Sequence, residues 1–114
     1  MMESCVQSLP KTIKIGPCDW RVVLESDADE YCGLADFATH SLKLWPSRLN
    51  SPSHVVSVIL HECLHVIYEN QNLGKVKSTK LEREEAVVEG FESGLISLFR
   101  DNPKFLVWFK KWVR

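Results

Sequence analysis

The segment from Ser51 to about Gln71 sets His61 and His65 four residues apart in a run whose other side chains are largely apolar, and few folds accommodate that combination. Ser51 supplies an N-cap and Pro52 suits the first helical position, so a helix begins there and ends before Gly74. Val55, Val56, Val58, Ile59, Leu60, Leu64, Val66 and Ile67 make most of its circumference apolar, as in a helix buried among other elements. His54, Ser57, His61, His65 and Tyr68 recur at offsets of three or four along one stripe without Lys or Arg. Polar groups on such a stripe are expected to line an enclosed site in which each needs a partner.

His61-Glu62-Cys63-Leu64-His65 has the form HExxH. Residues four apart on a helix have Cβ atoms about 5–6 Å apart, so both imidazoles can reach one Zn²⁺ at about 2.0–2.1 Å. Glu62, one position round the helix, can then act as a base toward a metal-activated water without becoming a ligand. A catalytic zinc site normally takes a third protein ligand and leaves the fourth position to water. No histidine follows His65, but Glu84 and Glu85 lie in a second helical segment between Leu81 and Val88. Both stand three or four residues from these apolar positions, and periodicity does not separate them. His54, near the helix start, reads as a cap-region histidine, and Tyr68 as a tyrosine with its hydroxyl in water. Either could also donate a hydrogen bond to a tetrahedral intermediate. Cys63 points away from the stripe and reads as packing.

HECLH followed by nineteen residues and Glu85, with Glu89 four further on, resembles the HExxH, x19, ExxxD/E arrangement of the thermolysin-type gluzincins. The resemblance implies Glu85 as third zinc ligand and Glu89 as the carboxylate that orients a ligand histidine. Glu84 is the alternative ligand. Glu84-Glu85-Ala86-Val87-Val88 and Arg100-Asp101-Asn102-Pro103, in that order after the motif, also resemble the small metallopeptidases encoded by bacteriophages, over roughly residues 20 to 110. That resemblance implies a zincin-like α+β fold. An N-terminal three- or four-stranded sheet would pack on the HExxH helix, followed by a Glu-bearing helix and a short terminal one. The implied activity is zinc-dependent hydrolysis of peptide bonds. Larger gluzincins have a second domain and a C-terminal transition-state His or Tyr, which have no obvious counterpart in this sequence.

At 114 residues the chain reads as one domain, 1–114, with no room for a separate substrate lobe. A formal net charge of −1 argues against nucleic acid as a partner. Cys5, Cys18, Cys32 and Cys63 lack CxxC spacing and read as free thiols of a reducing compartment, the cytoplasm, or the host cytoplasm if the protein is phage-encoded. Met1 to Pro10 does not read as a signal peptide, and no apolar run approaches a membrane span. Oligomeric state is not encoded in any feature of this kind.

After a short N-terminus read as mobile, Thr12–Ile15 and Trp20–Glu25 read as strands around Gly16-Pro17, and Tyr31–Phe37 with Ser41–Trp45 as a second pair. Residues 26–30 read as an acidic loop without EF-hand spacing. By resemblance to zincins, His40–Trp45 would be the sheet edge that holds an extended peptide through backbone hydrogen bonds. The second helix carries an apolar stripe of Leu81, Val88, Phe91, Leu95 and Leu98, and a small-residue line of Ala86, Gly90 and Gly94. That line suggests close approach of the motif helix, which would bring Glu85 to the histidines. A last helix, Lys104 to Arg114, reads as closing the core with its aromatics, the alternative being a basic aromatic surface for a membrane or a partner. Two readings compete with the hydrolase: a non-catalytic zincin-fold binding protein with a structural or vestigial metal, and a helical interaction protein in which the motif is accidental.

Overall fold

The computed structural model describes residues 2–27, 30–75 and 79–113. Its elements are α1 (Met2–Gln7), β1 (Thr12–Ile15), β2 (Cys18–Leu24), β3 (Gly33–Asp36), β4 (Ser41–Leu44), α2 (Pro52–Asn70), α3 (Lys80–Asp101) and α4 (Pro103–Trp112). The architecture is α+β: one four-stranded mixed sheet and four helices.

β1 and β2 form an antiparallel hairpin whose turn places Gly16 at φ 60°, a conformation that glycine adopts without strain. β3 and β4 form the second antiparallel pair, so both expected pairs are present. β4 joins β2 in parallel, with Val22 opposite Leu42 and Leu24 opposite Leu44, which gives the order β1-β2-β4-β3. β4 is therefore an inner strand. The peptide-holding edge assigned to His40–Trp45 is not an edge, because both sides of that strand are occupied. The outer strand on this side is β3. His40 lies before the strand at φ 51°, with its ring 5.0 Å from that of Trp20.

α2 has the predicted bounds and cap: Ser51 Oγ accepts the His54 backbone N–H, and Pro52 opens the helix. Its Val55, Ile59, Cys63 and Val66, all without exposed surface, meet Ile13, Ile15, Leu42 and Leu44 of the sheet in the core. The N-terminus, read as mobile, is instead the short helix α1. Burial of Cys5 and Val6 holds it in place, and the Trp108 indole N–H donates to the Cys5 carbonyl at 2.9 Å. α4 closes the core as expected through Phe105 and Trp108. The small-residue line of α3 does approach α2: a Cβ on Gly94 would lie 2.4 Å from Ile67 Cγ2. The apolar stripe of α3 is buried only in its second half. Leu98 is in the core, Phe91 and Leu95 pack against it, and Leu81 and Val88 are 70% and 53% exposed. The reason lies in the level of contact. Gly90 already meets Leu73 and Gln71, beyond the end of α2, so the turns before Gly90 lie past the end of that helix. Among the described residues no helix is long and apolar enough to cross a membrane.

Candidate metal centre

His61 and His65 project from the solvent side of α2, their Nε2 atoms 3.1 Å apart and their rings nearly perpendicular at 77°. A tetrahedral ion held at about 2.0–2.1 Å by both would set the two nitrogens about 3.3 Å apart, so the pair needs almost no rearrangement to hold one. The stripe to which they belong is not enclosed. Ser57, His61, His65 and Tyr68 are exposed and His54 is half-buried, because the sheet packs against the opposite side of α2. The stripe instead opens onto two shallow cavities separated by His61.

One cavity, of about 300 Å³, is lined by His61, Leu64, His65, Tyr68 and Phe91. The other, of about 290 Å³, lies between α2 and β3 and is lined by Cys32, Gly33, His54, Ser57, Val58, His61 and Glu62. Glu62 belongs only to the second. It is 6% exposed, the one acidic residue buried among those described, and its carboxylate accepts no hydrogen bond from any of them. The side chain is packed, while the carboxylate oxygens keep contact with solvent in this cavity. Its Cγ lies 3.3 Å from where a Cβ on Gly33 would stand, so the glycine lets the edge strand pass directly over it.

Cys63 faces the core, where burial, with the neighbouring Glu62 charge as a lesser cause, pushes its thiol up to about 12. It is a packing residue that stays protonated, as its position in the motif suggested. Glu84, Glu85 and Glu89 are all exposed. Glu85, with Glu89 and Glu92 four and seven residues on, follows the outer line of α3, whereas Glu84 stands seven residues before Phe91 and shares its line. Among the described residues no three His, Cys, Asp or Glu side chains converge as a metal site. The structure thus brings together His61 and His65, sets Glu62 beside His61, and leaves both candidate third ligands in solvent.

Sequence reasoning missed Gly33 and Phe91 as parts of the site. A glycine inside a strand segment is a sign of close approach, and Gly33 carried it. Phe91 gave no sign beyond its place on an apolar stripe. Comparison with known proteins adds no relative: no family model, no curated protein and no solved structure matches the chain.

Proposed function

We propose that the protein is a minimal zincin-like, zinc-dependent hydrolase of peptide bonds, akin to the gluzincins and to small phage metallopeptidases. The observation that carries this reading is the pair of imidazole nitrogens at 3.1 Å beside Glu62, whose carboxylate no described residue engages. His61 and His65 would hold one Zn²⁺ together with an acid from α3, Glu85 by gluzincin spacing or Glu84 by helix face. Zinc in such a site supplies Lewis acidity that polarises a carbonyl and makes water a nucleophile near neutral pH. Glu62 Oε is the base: it takes the proton of the attacking water and returns it to the leaving amine. An extended peptide would lie along the outer side of β3, which pairs with no other described strand, and be held there by backbone hydrogen bonds. All four cysteines are free thiols, which suits work in a reducing compartment such as the cytoplasm.

The test is metal analysis of untagged protein together with digestion of a peptide library. Wild type is expected to carry one zinc and to cut. Glu62→Gln should keep the metal and lose turnover by at least about a hundredfold, and His61→Ala and His65→Ala should lose both. A Glu62→Gln protein as active as wild type would refute the mechanism. The exposure of both candidate acids on α3 favours one alternative, a zincin-fold binding protein without turnover. Stoichiometric zinc, no cleavage and recovery of a specific partner would decide for it.

A further inference from the structure

We propose that the cavity between α2 and β3 is a recognition pocket for a neutral carboxamide, the side chain of asparagine or glutamine, read by His54 and Ser57. The inference rests on the hydrolase reading and deepens it. His54 is fixed on both sides of its Cα: its backbone N–H donates to Ser51 Oγ at 3.1 Å, and its Nδ1 accepts the Asn50 backbone N–H at 3.3 Å. An imidazole that accepts at Nδ1 carries, when neutral, its proton on Nε2. The ring lines the cavity, and in that tautomer Nε2 is its donor. Ser57, three residues on, is its neighbour on the helix surface and offers a hydroxyl that accepts. A carboxamide matches this pair, its C=O accepting from His54 and its NH₂ donating to Ser57.

The other end of the cavity determines what is refused. Glu62 lines it there, so a carboxylate ligand would set a second acidic group in the same small space. An aliphatic side chain would gain no hydrogen bond from His54 or Ser57. Val58 and Gly33 supply the apolar wall against which the methylenes of such a side chain would lie. His54 precedes His61 by seven residues, about 10 Å along the helix axis, which is the length of about three extended residues. The selected side chain would stand two or three residues from the scissile bond.

The experiment is digestion of a fully randomised peptide library by the zinc-loaded protein, with cleavage sites read by mass spectrometry. Asparagine or glutamine should be enriched about tenfold, the worth of one net hydrogen bond, at one position two or three residues from the cut. His54→Leu should keep its zinc and lose that enrichment, and Ser57→Ala, at an exposed position, should reduce it if His54→Leu fails to fold. Cleavage without a carboxamide preference, or a preference that survives in both variants, would overturn the proposal. If wild type cuts nothing, the hydrolase reading falls, and the pocket is judged by the library peptides that wild type retains. Retention enriched in carboxamides and abolished by His54→Leu would still support it, and unselective or absent retention would overturn it.

Discussion

Gly90 and Gly94 stand one turn apart on α3 and meet different neighbours. At Gly94 a Cβ would fall 2.4 Å from Ile67 Cγ2 and 3.3 Å from Ile67 Cβ, on a β-branched side chain with little freedom to turn away. At Gly90 the nearest atoms, at 2.6 and 3.3 Å, are the Cδ methyls of Leu73, the far end of a flexible chain in a short turn. Replacing a helical glycine with alanine gains about 0.5–1 kcal/mol of helix stability, and overpacking a fitted contact costs about 1–3 kcal/mol. Gly94→Ala is therefore expected to lower the urea midpoint, while Gly90→Ala leaves it nearly unchanged. Equal effects in both variants would show that the contact with Ile67 yields. The sequence displayed the small-residue line, and with it the close approach. It could not show that the two glycines differ, because the difference lies in which atoms of α2 and its following turn stand opposite.

Between elements, Asn102 joins the α3–α4 corner to the outer strand β1. Its Oδ1 accepts the Lys14 backbone N–H at 2.7 Å, and its Nδ2 donates to the Lys14 carbonyl at 2.6 Å and to the Leu98 carbonyl at 2.7 Å. One side chain thus mimics a neighbouring strand and satisfies a position on an otherwise open sheet edge. Asn102→Ala should cost about 2–4 kcal/mol, as the loss of two or three hydrogen bonds in a buried setting, and should be measurable by chemical denaturation. A loss below about 0.5 kcal/mol would mean that water replaces the side chain freely. Most elements were legible from sequence, because Ser51-Pro52 and Asn102-Pro103 are local signals and the two strand pairs carry their own alternation and turns. The order of strands was not. Ser41–Leu44 reads the same whether it ends a sheet or joins two hairpins, and the parallel pairing with β2 that makes it internal is a long-range choice. The same limit moved the candidate peptide edge to Gly33–Asp36.

For the whole molecule, the candidate site is divided between a rigid part and a part with little support. The histidines and Glu62 stand on a helix anchored in the core, whereas Glu84 and Glu85 lie in the first turns of α3, which bury no residue before Gly90. The radius of gyration is 14.7 Å, against roughly 13 Å for a compact chain of this length. Only Ala86 and Val87 are even half-buried in these turns, and so lightly packed a helical segment is marginal in water, so its amides should exchange far faster than those of α2 in metal-free protein. If an acid from these turns completes the zinc site, metal binding must draw them onto α2 and link their stability to the ion. Zinc at a hundred times its dissociation constant would then slow exchange over residues 82–89 by up to about a hundredfold. Glu84→Gln or Glu85→Gln would remove that protection, whichever residue is the ligand. Protection confined to the neighbourhood of His61 and His65, with α3 unchanged, would place the ion on α2 alone. The gluzincin ligand set would then fail even if zinc were bound, and the reading as a binding protein would gain, because two histidines without an acid hold zinc too weakly to organise a hydrolytic centre.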